Sequence, residues 1–247
     1  SFKLDNKALQ ILIAGCGTGN QIFESLRFNN CKIKAIDLSN SSLSYAKRKL
    51  IEQEIDNIEL IQMDLLDISL LENKFDIIEC GGVLHHMANP LKGLETLTSN
   101  LKKGGFMKLG LYSELARKDI VKIRKIIKEE NISYSKDSVI DFRERMISKK
   151  IINKNNLFNS PDLYSFSSFI DLCFNQQEYR FTINELKKAL SSNQLEFLGF
   201  YHTNEVKSLY KNHFPEDKRQ INLDNWEEFE NIYPNTFSKM YQFWVKK

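Results

Sequence analysis

A turn of composition Gly15-Cys16-Gly17-Thr18-Gly19-Asn20 stands directly after the apolar run ILIA, residues 11 to 14. Glycine tolerates positive φ and has no Cβ, so this spacing lets the backbone lie against a ligand with its N–H groups turned outward. Eighteen residues past Gly19 the run KIKAI, residues 32 to 36, leads into Asp37. A carboxylate there can accept both hydroxyls of a ribose, or it can cap the helix that follows together with Ser39. The next run, IELI, ends near Asp64, placed to accept a hydrogen bond from an exocyclic amine. Together these residues suit a nucleoside.

A second set of groups suits proton handling and acceptor recognition. His85 and His86 lie in GGVLHHMANP, just past the apolar run FDIIEC. Histidine titrates near neutral pH and is the natural candidate base, with a structural role at a helix start as its competitor. Tyr112, Ser113 and Glu114 follow the run GFMKLGL, and Glu114 can equally serve a helix dipole. The stretch NSPDLYSFSSFIDLCFNQQEYRF, residues 159 to 181, offers Tyr164, Asp171, Gln176, Gln177, Tyr179 and Arg180 as acceptor contacts. Alternatively, Phe166, Phe169, Leu172 and Phe174 pack an accessory helix whose polar side faces water. Cys16, Cys31, Cys80 and Cys173 form no CxxC pair and no cluster with metal-ligand spacing, so no metal site is expected. Cys173 lacks an activating neighbour and reads as buried packing.

These residues need a scaffold, and its rhythm is visible. Five short β-branched runs alternate with stripes at three-to-four spacing: Ile22, Phe23 and Leu26; Leu43, Ala46 and Leu50; Leu94, Leu97 and Leu101. Strand then helix, repeated, predicts an α/β fold with an open, doubly wound sheet. Residues 114 to 154 are helical in pattern, with Ile120, Ile123 and Ile127 along one side. Residues 102 to 154 hold 15 Lys/Arg against 7 Asp/Glu, a local +8 that we read as a solvated helix surface in preference to a polyanion-binding face. TINELKKALSSN opens with Thr182 three residues before Glu185, the signature of a capping box. LEFLGFYH and MYQFWVKK read as the last two strands, with a helical insertion over residues 203 to 239. The expectation is one domain over 1–247, with a nucleoside-binding half at 1–113, a helical elaboration at 114–194 and the last two strands with their insertion at 195–247.

The whole chain of 247 residues carries Lys+Arg 35 against Asp+Glu 32, a net charge of +3 that is too near balance to argue by itself for a nucleic-acid or membrane-surface partner, and nucleic acid is not the expected partner. No run approaches the ~20 apolar residues of a membrane span, and SFKLDNK lacks the make-up of a secretory signal. Scattered cysteines fit a reducing, cytoplasmic setting. The opening Ser1 leaves room for an additional domain outside this chain.

Four segments in order carry a family resemblance: ILIAGCGTGN, AIDLSNSSLSYAKRKL, IQMDLLDI and FDIIECGGVLHHMANPLKGLETLTSNLKKGGFMKLGLYS. Over residues 8 to about 112 the chain resembles the class I S-adenosylmethionine-dependent methyltransferases. The resemblance implies a Rossmann-like, seven-stranded, mostly parallel sheet with an antiparallel last strand, and helical insertions before the last two strands. It implies S-adenosyl-L-methionine as cofactor and S-adenosyl-L-homocysteine as product. Gly15, Cys16, Gly17 and Gly19 would border the methionine moiety, Asp37 and Leu38 the ribose side, Asp64 and Leu65 the adenine, and Cys80 and Gly81 the inner wall. The acceptor would be a small molecule or a group presented by a protein. Where the family often has an acid two positions before the first glycine, this chain has Ile13. Two alternatives stay open: a catalytically silent binding subunit on the same fold, and an NAD-dependent dehydrogenase. Asn20, where the dinucleotide fingerprint has its third glycine, weakens the latter. Aminopropyl transfer lacks the acidic pair that a polyamine requires.

Overall fold

The computed structural model describes residues 8–149, 163–175, 177–237 and 240–247. The apolar runs become strands β1 (Leu9–Ala14), β2 (Cys31–Asp37), β3 (Ile58–Gln62), β4 (Phe75–Gly81) and β5 (Leu101–Leu111), followed late in the chain by β6 (Glu196–Phe200) and β7 (Tyr241–Lys246). They form one seven-stranded sheet in the order β3-β2-β1-β4-β5-β7-β6. Strands β1 to β5 pair in parallel, and β7 runs antiparallel to both its neighbours. The strand order reverses between β1 and β4, so the crevice at their carboxyl ends is where an open α/β sheet receives a ligand.

Helices α1 (Asn20–Ser25), α2 (Asn40–Glu52) and α3 (Pro90–Asn100) follow β1, β2 and β4. Between β5 and β6 lie α4 (Lys118–Glu129), α5 (Lys136–Lys149), α6 (Phe166–Phe174) and α7 (Ile183–Ser192); between β6 and β7 lie α8 (Asn204–His213) and α9 (Leu223–Ile232). Alternating strand residues feed two cores, as side chains of successive positions must. Ile11, Ile13, Ile33, Ala35 and Ile77 meet Ile22, Leu43, Ala46 and Leu50 on one face. On the other, Leu12, Ile78, Met107, Leu109 and Phe243 meet Leu94, Leu97, Leu186, Leu190, Trp226 and Phe229. Helices α4 to α6 close a third core around Ile123, Phe142, Met146 and Phe169. The elaboration therefore divides, because α7 joins the sheet while α4 to α6 pack on one another.

Two stripe positions differ from expectation. Leu26 lies past the end of α1 and is exposed, because the helix stops at Ser25. Leu101 is not the last turn of α3; it opens β5 opposite Phe75 and is fully buried there. Strand β5 begins early because Leu101 pairs with β4, and farther along it Gly104 donates to the Lys247 carbonyl at 2.7 Å. No helix among the described residues is long and apolar enough to cross a membrane.

Candidate active site

The glycine turn sits at the carboxyl end of β1, tied to β2. Gly15 and Cys16 both donate to the Ile36 carbonyl, at 2.9 and 3.0 Å. Gly15, Gly17 and Gly19 all take positive φ, at 75°, 52° and 102°. A Cβ on Gly15 would come within 2.2 Å of Val83, whereas one on Gly17 would meet nothing within 4 Å. Gly15 thus answers to packing, and Gly17 faces open space.

Asp37 is not the helix cap. Ser39 caps α2, accepting from the Ser42 N–H. The Asp37 carboxylate instead accepts from the Gly17 N–H through Oδ2 and from the Ser39 N–H through Oδ1, both at 2.8 Å. The turn and the acid are one unit. Asp64 does take a capping role, accepting from the Leu66 N–H at 2.8 Å at the start of the 3-10 helix Leu65–Leu71. The Met63 N–H donates to the Asp37 carbonyl, so Asp64 follows beside Asp37 along the same edge. Leu65 is buried and Leu38 exposed.

At the end of β4, Gln21 donates to the Gly81 carbonyl at 2.7 Å. A cavity of about 220 Å³ opens here, lined by Gln21, Glu24, Glu79, Gly81, Lys108 and Gln242 among others. Buried Glu79 is held by the Ser25 hydroxyl at 3.1 Å and by Arg27. Glu24 pairs with Lys108 across 3.1 Å. Gln21, two positions past the last glycine, was passed over in the sequence; its place on the side of α1 toward β4 was the available signal. Burial, then the Asp37 charge, pushes the Cys16 thiol up to about 12. Burial also takes Cys80 to about 12 and Cys173 to about 12, so none of the three is a thiolate nucleophile.

On the opposite side of the edge the structure gathers His85, His86, Tyr112, Glu114, Tyr179 and Arg180. The Tyr179 N–H donates to the His85 carbonyl at 2.7 Å, the Phe181 N–H to the Tyr112 carbonyl at 2.8 Å and the Glu114 N–H to the Phe181 carbonyl at 2.9 Å. The Arg180 guanidinium donates to Glu114 at 2.8 Å. His85 is fully buried, stacked on Tyr112 with centroids 3.6 Å apart, and neither ring nitrogen has a hydrogen-bond partner among the described residues. Burial first, then His86 and Arg117, lowers its pKa to about 3, so the ring is neutral and a poor base near neutral pH. His86 is half-buried, its Nδ1 3.3 Å from both the Gln177 carbonyl and the Asn175 side-chain amide.

Tyr164 and Asp171 stay with the α4–α6 unit and are exposed, although the Asp171 charge still reaches Tyr112. Gln176 lies outside the described residues. Glu178 was missed in the sequence. Its buried carboxylate accepts from Arg117 and from Arg124, which stand seven positions apart and so share one side of the chain leading along α4. Among the described residues no group of three His, Cys, Asp or Glu is arranged to hold a metal ion.

A family model described as a methyltransferase domain matches residues 5–156. The chain belongs to this methyltransferase-domain family. A relative in Synechococcus, the uncharacterized protein syc1184_c, is 30% identical over 201 residues, covering 77% of this chain and 48% of the relative. The tRNA U34 carboxymethyltransferase of Campylobacter fetus is 35% identical over 92 residues, 37% of this chain and 32% of that enzyme. Among solved structures, PKMT2 from Rickettsia typhi in complex with AdoHcy superposes with a TM-score of 0.71 at 18% identity, over 98% of this methyltransferase-domain chain and 49% of that one. This chain spans about half the length of the Synechococcus relative and of PKMT2.

Proposed function

We propose that this chain transfers a methyl group from S-adenosyl-L-methionine to a small molecule or to a group presented by a protein. The observation that carries the reading is the Asp37 carboxylate fixed by the Gly17 and Ser39 N–H groups beside open space over Gly17. Each carboxylate oxygen has a further lone pair, enough to accept the two hydroxyls of a ribose. Gly15, Cys16, Gly17 and Gly19 border the donor's methionine part, Leu38 the ribose side, Asp64 and Leu65 the adenine, and Cys80 and Gly81 the inner wall. Family membership supports this donor over a nicotinamide.

When bound, the donor supplies a methyl on a positively charged sulfur. The chain's part is to hold the acceptor in line with that methyl and to exclude water. Tyr112, Glu114, Tyr179, Arg180 and half-buried His86, with His85 behind them, form the acceptor wall. His86 is the candidate base. With Nδ1–H donated to the Gln177 carbonyl and the Asn175 amide turned to present its oxygen to the same N–H, Nε2 is left to accept the acceptor's proton. His85, neutral and buried, shapes the wall.

The test is calorimetry of S-adenosylhomocysteine with the pure protein, expected to show binding that Asp37→Ala weakens at least about tenfold, the loss of one charge-assisted contact. No binding, or an Asp37→Ala protein that binds like wild type, overturns the reading. A screen for S-adenosylhomocysteine release, with small amines, acids and tRNA as separate arms, then identifies the acceptor class. The second reading is a silent binding subunit, favoured by Ile13 where relatives often hold an acid. Donor binding with no labelled product from any extract would support it.

A further inference from the structure

Resting on the reading above, we propose that Glu178 is the positioning residue of the acceptor wall: its carboxylate, held by Arg117 and Arg124, fixes residues 177–181 across the ends of β4 and β5 and so holds the His85–Tyr112 stack. The Glu178 side chain is 1% exposed, and those of Arg117 and Arg124 are 7% and 18%. Arg117 binds both of its oxygens, through Nε at 3.1 Å and through Nη2. Arg124 adds a bond at 2.8 Å and donates also to the Leu172 carbonyl of α6 at 2.8 Å. Arg180 brings a third guanidinium to 3.8 Å while pairing with Glu114 at the rim.

One carboxylate therefore joins three elements. The arginines anchor it to α4 and its approach. Just after it in the chain, main-chain bonds from Tyr179 and Phe181 grip the residues that follow β4 and β5. The Arg117 guanidinium also lies 3.9 Å from the centroid of the Tyr112 ring, which stacks on His85. Removing the charge leaves two buried guanidiniums without their shared partner, a cost large enough to move one of the elements. Segment 177–181, which lies between α6 and α7 and has no helix or sheet ladder of its own, is the one to move. His85 would then gain water on its face.

The experiment follows the ring signals of the four histidines by nuclear magnetic resonance through a pH titration, in wild type, Glu178→Gln and Glu178→Asp. In wild type the His85 ring stays silent between about pH 5 and 8. In Glu178→Gln its midpoint rises by about two units or more, from about 3 into that window, the Tyr179 and Phe181 amides exchange faster, and Glu178→Asp restores most of the wild-type behaviour. S-adenosylhomocysteine affinity stays within about twofold, because the glycine turn is untouched. With the acceptor from the screen, kcat falls on the order of tenfold or more while the donor KM holds. Should Glu178→Gln fail to fold, Arg124→Gln removes one arm and is read in the same way. A folded variant whose His85 stays silent, whose Tyr179 and Phe181 amides exchange at wild-type rates and whose kcat is unchanged overturns the proposal. Absence of donor binding in wild type overturns the functional reading instead, and leaves the histidine readout unaffected.

Discussion

Gly15 and Gly17 are two positions apart with the same sign of φ, yet alanine at each should fail differently. At Gly15 the new Cβ collides with Val83 inside the packed edge, so Gly15→Ala should cost several °C in thermal midpoint and donor affinity together. At Gly17 the Cβ enters open space and the folding cost is only the left-handed strain, about 1–2 kcal/mol. The space it fills is the donor's, so Gly17→Ala should stay folded and lose S-adenosylhomocysteine binding by about tenfold or more. Melting curves beside calorimetry separate the two. His85 makes a pH prediction. Its folded pKa of about 3 lies below the unfolded value of 6.5, so the unfolded chain takes up a proton first as pH falls. Stability drops below pH 6.5 at about 1.4 kcal/mol per unit, roughly 2 kcal/mol by pH 5, and levels off near the folded pKa. His202, lowered to about 4 chiefly by burial, adds in the same direction. Denaturant melts of His85→Gln against wild type should show the slope below pH 6.5 reduced by one proton's worth.

At the scale of elements, what was legible had a local cause. The five early strands were readable because buried parallel strands are near-continuous apolar runs. The box at α7 is present, Thr182 and Glu185 each satisfying the other's backbone. Thr182→Ala should cost about 1 kcal/mol without changing donor affinity, since α7 packs on the far core; chemical denaturation with calorimetry checks both halves. What was illegible rested on distant partners. Glu178 meets Arg117 and Arg124 across 61 and 54 positions, and β5 extends back to Leu101 by pairing with Phe75, 26 positions earlier in the chain. The acceptor cover read as one stretch in sequence but divides in space. Phe169 and Cys173 turn α6 into a separate core, leaving Tyr164 and Asp171 behind while 177–181 crosses the edge. The aromatic spacing within α6 was the clue to that division, and it was equally compatible with a cover.

Across the whole molecule, the insertion carrying α8 and α9 reaches the site edge through one buried acid. Glu230 accepts from the Ser113 hydroxyl at 2.6 Å and the Tyr241 hydroxyl at 2.7 Å, joining α9 to the end of β5 and the start of β7. Ser113 lies between Tyr112 and Glu114, so this joint sets the floor on which the acceptor wall stands. Glu230→Ala leaves both hydroxyls buried without their acceptor and should cost about 3 kcal/mol. The milder Glu230→Gln keeps an acceptor oxygen and reveals a sign. Burial, outweighing the two hydroxyl bonds, raises the folded pKa of Glu230 above the ordinary 4.5. Its contribution is therefore fully present below pH 4.5 and declines as pH rises through the folded pKa. Glutamine resembles the protonated acid at every pH, so the thermal midpoint of Glu230→Gln relative to wild type should improve as pH rises from 4.5 through the folded pKa of Glu230 and hold level above it. A difference that is flat or worsens over that range would mean that the hydroxyl bonds, rather than burial, dominate this joint.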